Sequence, residues 1–143
     1  MKNEKSNHVN LRMVNIDEKH IEDYLSDVKR KILGGKYRIE LNDKRPDNKN
    51  LFFDYVIDKS KEKEILLKLS PRDFSDILPN EHKGYENERL YVFGKDVSLT
   101  ERIGKNRVTV PLYIKINNTK NGPVIIISFH KQKHPLTYHF SRS

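Results

Sequence analysis

The chain has 143 residues and 28 Lys/Arg against 20 Asp/Glu, for a formal charge of +8 and a pI near 9.6. That length suits one domain with a real core, and seven Tyr and six Phe argue against disorder despite a mean hydropathy of −0.82. The lack of cysteine excludes a disulfide framework, a thiol nucleophile and a Cys-based zinc site, and no apolar run approaches the ~20 residues of a membrane span.

In chain order, residues 1–14 are polar and expected to be flexible, and residues 15–143 are expected to form a single α+β domain. Met1-Lys-Asn-Glu-Lys-Ser6 has no apolar segment of the kind a signal peptide needs, so a cytoplasmic location is expected. From Asp17, the residues Ile21, Tyr24, Leu25, Val28 and Ile32 follow helical spacing, with Gly34-Gly35 as the stop. Residues 37–41 alternate and predict a strand. Residues 42–48 are turn-rich, and the aromatic, β-branched stretch 51–57 predicts a second strand.

Ser60 can cap a short helix reaching Leu69, with Ile65, Leu66 and Leu69 on its buried side. Ser70-Pro71-Arg-Asp73 has the signature of another helix start, burying Phe74, Ile77 and Leu78. A loop over 81–87, a strand over 90–93 and a basic loop over 95–106 follow. The clearest β pattern is the pair 107–116 and 124–131, and residues 136–140 can add a short edge strand. The expected architecture is N-terminal helices packed on a C-terminal antiparallel sheet.

Charge is unevenly placed. Residues 87–143 carry ten Lys/Arg against three Asp/Glu, whereas residues 1–86 nearly cancel at eighteen against seventeen. A basic half of this kind suits a polyanion, and Lys95, Arg102, Lys105 and Arg107 are candidate RNA-binding residues with Lys115. Tyr85, Tyr91 and Phe93 could stack bases, or Tyr91 and Phe93 could serve the core. His130, at the end of a buried-type strand, can act as general acid or base, with Lys131 beside it to steady phosphate charge; an ordinary surface histidine fits the same pattern. Tyr113 and Lys115 share a strand face, and Glu88 is a candidate base. His130, His134 and His139 match no metal-binding spacing, so neither a metal site nor a cofactor is expected.

A joint site for Tyr113 and His130 depends on register. If Ile116 opposes Val124 across a symmetric loop, Tyr113 opposes Ile127 and His130 lies on the other face. An odd register or a bulge brings the two to one face, and the odd register is expected.

Leu69-Ser-Pro-Arg-Asp-Phe74, Leu90-Tyr91, Leu112-Tyr-Ile-Lys115 and Ile127-Ser-Phe-His-Lys131, in that order, resemble the motifs of the bacterial MqsR toxin family. The resemblance covers about residues 26–133 and implies a RelE-like α+β fold. It also implies a metal-independent endoribonuclease, an mRNA interferase of a type II toxin–antitoxin system. Its implied partners are mRNA, a cognate antitoxin and the ribosome as a further candidate, with no membrane. By the same resemblance the family's catalytic Tyr falls on Tyr113, its C-terminal Lys on His130, and its Gln on Glu88. The family's helix Lys falls on Asp76, a reversal of charge. A non-catalytic RNA- or DNA-binding regulator using the same basic face is the alternative.

Overall fold

The computed structural model describes residues 16–140, and the segment 1–14, expected to be flexible, lies outside them. Helix α1 spans Glu18–Leu33, as its periodicity requires, and Asp17 caps it by accepting from the His20 amide. Gly35, at φ +78°, turns the chain into strand β1, Tyr37–Ile39. Helix α2 (Pro46–Asp54), strand β2 (Tyr55–Val56) and helix α3 (Lys59–Leu67) follow. A single 3₁₀ turn at Pro71–Asp73 leads into strand β3, Phe74–Pro79. Three strands complete the fold: β4 (Arg89–Glu101), β5 (Arg107–Asn118) and β6 (Val124–Lys131).

The class is α+β, and the six-stranded sheet runs β1-β6-β5-β4-β2, with β3 also paired to β4. It is mixed, not purely antiparallel as expected, because β1 pairs parallel to β6. Five other expectations are corrected. Residues 51–57 are mainly helix: Pro46 sits in the first turn of α2, where its missing N–H costs nothing, and Leu51 and Phe52 then pack toward β6. The cap of α3 is Asp58, not Ser60, though Ile65, Leu66 and Leu69 are buried as expected.

The Ser70–Asp73 capping box forms but propagates no helix, since Phe74–Pro79 finds its hydrogen bonds across β4 instead. Residues 95–101 continue β4, with Val97 and Leu99 buried and Asp96 and Ser98 exposed.

The fifth correction concerns the C-terminal segment, which is not a strand. Residues 132–140 cross the sheet as a strap. The Gln132 amide donates to the Pro111 carbonyl, the Ser75 hydroxyl to the Thr137 carbonyl, and the His139 amide to the Phe74 carbonyl. The strap passes directly over Gly94, where an added Cβ would meet Leu136 Cδ1 and the Tyr138 hydroxyl at 2.5 Å. Glycine inside this strand is therefore a requirement of close approach.

The helices cover one sheet face. Tyr24 of α1 stacks on Tyr91 at 3.6 Å between ring centroids, above a core containing Phe93, Ile114, Ile116, Ile126 and Phe129. The other face carries Tyr113, Lys115 and His130, together with the buried Val92 and with Gly94 under the strap.

Candidate nuclease site on the sheet face

On β5 the residues Tyr113, Lys115 and Asn117 alternate with buried Leu112, Ile114 and Ile116, so they share the face away from α1. Near the β5–β6 loop the register is even, with Ile116 opposite Ile126 and Asn118 opposite Val124. Beyond Ile127 it becomes odd: Lys115 opposes Ser128 and Tyr113 opposes His130. One extra residue in β6 makes that change, so the joint face arises from a bulge within a loop-side register of the wrong parity. The Tyr113 and His130 rings stack at 5.3 Å between centroids and 10° between planes.

A bulge leaves backbone groups without ladder partners, and here a buried side chain supplies them. Asn48 of α2, 1% exposed, donates from Nδ2 to the Ile127 carbonyl (2.9 Å) and accepts the Phe129 amide at Oδ1 (2.8 Å). It also donates to the Glu40 carbonyl just past β1. Asn48 thus clamps the irregularity that sets His130 beside Tyr113. Asn48 lies in the stretch 42–48 expected to be a turn; Pro46 two residues earlier, a residue suited to a first helical turn, is the local signal for the helix that carries it.

His130 Nδ1 lies 2.8 Å from the Lys131 carbonyl. A carbonyl only accepts, so Nδ1 carries the proton and the neutral ring keeps its lone pair on Nε2, the arrangement a general base needs. Burial pushes the Tyr113 hydroxyl above its ordinary range, and the nearby Asp76 charge adds to this, so Tyr113 stays protonated and can donate. Burial also holds Lys115 below its ordinary 10.5, assisted by the Arg45 charge. Among the described residues no carboxylate forms an ion pair with Lys115, a half-buried cation on this face.

The remaining sequence candidates disperse. Lys131 follows His130 on the strand and faces the other way, with its Nζ 5.6 Å from the centre of the Tyr55 ring. It borders a cavity of about 250 Å³ with Asp47, His130 and Lys133. Asp47 is held below the usual carboxylate range by Lys133 first, with a smaller contribution from His130. Glu88 accepts from the Asn80 and Asn117 side-chain amides, and Asn117 lies two same-face steps from Tyr113, roughly 13 Å along β5. Glu88 therefore organises the far end of the face and does not reach the stacked pair.

Lys95 lies on the helix side, 3.5 Å from Asp73. Arg102 donates to the Phe52 carbonyl. Lys105 is at the exposed β4–β5 turn, with φ 59°. Arg107 bonds Ser98 on the Tyr113 face, roughly 20 Å along β5 from Tyr113. Asp76 stands on β3 opposite Val92, which itself opposes Lys115, so it lies on a strand and not in the helix expected after Ser70. Tyr91 and Phe93 pack under α1, and Tyr85 is exposed in the loop before β4. His139 packs on Phe74 away from His130, and no three His, Asp or Glu side chains gather in a metal-binding group among the described residues.

No family model, curated protein or solved structure matches the chain. The MqsR resemblance thus rests on the motifs quoted above. No helix among the described residues is long and apolar enough to cross a membrane.

Because burial depresses the Lys115 pKa, its charge is lost as pH rises, before the ordinary lysine range is reached. RNA affinity is expected to fall through that window, and Lys115→Arg, whose charge persists, is expected to remove the fall. Filter binding at stepped pH measures it; identical curves for the two proteins would exclude Lys115 from phosphate contact.

Proposed function

We propose that this protein is a metal-independent endoribonuclease, an MqsR-like toxin with a RelE-like arrangement that cleaves mRNA in the cytoplasm and is held silent by an antitoxin. The observation that carries this reading is the stacked Tyr113–His130 pair beside the half-buried, unpaired Lys115. His130 Nε2 takes the proton of a 2′-hydroxyl, whose oxygen forms a bond to the adjacent phosphorus. The bond from phosphorus to the 5′-oxygen breaks, and that oxygen takes a proton from the Tyr113 hydroxyl. Proton transfer from the His130 imidazolium to the Tyr113 phenolate restores both groups. Lys115 stabilises the charge gathered on the phosphoryl oxygens, a role a fixed cation in a partly desolvated site performs well.

The net charge of +7 over residues 87–143 favours a polyanionic substrate, and steep loss of affinity with salt is the expected signature. An acidic inhibitor surface would complement the same face. The test is incubation of the full chain with single-stranded RNA in EDTA. Cleavage leaving 2′,3′-cyclic phosphate and 5′-hydroxyl ends is expected. Strict dependence on Mg²⁺ would remove the mechanism, and binding without cleavage would leave the non-catalytic regulator.

A further inference from the structure

A second basic feature lies off the sheet face, where the C-terminal end of α1, the turn into β1 and the β5–β6 loop enclose a groove of about 900 Å³. Five cations line it, Arg30, Lys31, Lys36, Arg38 and Lys120, against one acid, Asp27. The acid is already engaged, by the Asn118 amide first and then by Arg30, which hold it below the usual carboxylate range. Lys31 serves the framework: its ammonium, mostly buried, donates to Asn118 Oδ1 and to the Thr119 carbonyl and fixes the loop against the helix. The loop is further set by the Thr119 hydroxyl donating to the Pro123 carbonyl and by Asn121 at φ 58°. Lys36, at the turn into β1, and Lys120, in the β5–β6 loop, are exposed and line the groove.

We propose that this groove is a phosphodiester-binding site that takes the backbone of an RNA strand running off the sheet face. The ligand class follows from the lining. Tyr37, the one aromatic residue in it, donates its hydroxyl to Glu62 and lies under Lys59, so it offers no free platform for a base. No large aliphatic side chain lines the groove, so it lacks the anchors by which a protein partner or a lipid surface is held. What remains is positive charge and backbone, which reads phosphate without regard to sequence. The groove begins at Asn118, roughly 17 Å along β5 from Tyr113, so a strand crossing the stacked pair reaches it only if it is several nucleotides long. Naming RNA as the ligand rests on the reading of the sheet face, whereas the preference for phosphodiester rests on the groove alone.

The experiment uses the full chain carrying His130→Ala, so that RNA stays intact, with and without Lys36→Ala and Lys120→Ala together. Affinity for a uridine homopolymer of about 20 nucleotides, and for one of about four, is measured against salt. For the longer RNA, loss of two contacts at about 0.7 each predicts a log–log salt slope shallower by about 1.4. The short RNA should show no difference. Equal slopes with the long RNA overturn the proposal, as does a loss confined to phosphatidylserine vesicles, which would make the groove a lipid contact. If the slopes differ as expected while protein with native His130 leaves RNA uncut, the groove stands and the nuclease reading falls.

Discussion

His130→Ala is expected to slow RNA cleavage by about 10²- to 10⁴-fold, the range over which a positioned acid–base group contributes. Folding should survive, because the ring is only partly buried and its contacts are the Tyr113 stack and the Lys131 carbonyl. Circular dichroism and thermal melting check the fold, and single-turnover cleavage of a labelled RNA in EDTA measures the chemistry. Tyr113→Phe retains the stacked ring but removes the proton donor, so it should lower the rate while leaving RNA affinity nearly intact. A His130→Ala protein that cuts at the native rate would move the chemistry off this face.

Asn48→Ala is expected to be the most damaging single substitution outside the apolar core. It leaves the Phe129 amide and the Ile127 and Glu40 carbonyls without their side-chain partner in a buried position. At about 1–3 kcal/mol for a buried group left unpaired, the loss should be roughly 2–5 kcal/mol once some relaxation is allowed. Chemical denaturation measures it. Asn48→Asp preserves the acceptor for Phe129 but turns an anionic oxygen toward two carbonyls, so it should be at least as harmful. Activity gives a second readout. At temperatures where the variant remains folded, cleavage should still fall, because the bulge that pairs Tyr113 with His130 has lost its clamp. Native stability and native activity in Asn48→Ala would show that the bulge holds itself.

Much of the fold was legible locally. The spacing of Ile21, Leu25, Val28 and Ile32 dictates α1, and the alternation in residues 107–116 and 124–131 dictates β5 and β6. The failures share a physical cause. Leu51 and Phe52 have side chains that suit a strand, but a Pro46 helix start and a surface on β6 won. Ser70–Asp73 forms its capping box, yet Phe74–Pro79 gains more from pairing with β4 than a short helix could return. In residues 95–101 the alternation of Val97 and Leu99 carries a strand pattern among charged neighbours.

The candidate site divides the same way. Composition and charge alone determined that the C-terminal half is basic, and alternation alone put Tyr113 with Lys115 and set His130 and Lys131 on opposite faces. The tertiary structure decided which cations remain available: Lys95 is taken up by Asp73 and Arg102 by the Phe52 carbonyl, while Lys115 is left unpaired on the face. It also decided the register. A strand's pattern has period two and is unchanged in appearance by a one-residue slip, so local sequence cannot choose between the two parities. The choice is made by one extra residue at Ile127 and by the Asn48 amide, which bonds Phe129 from 81 positions earlier in the chain.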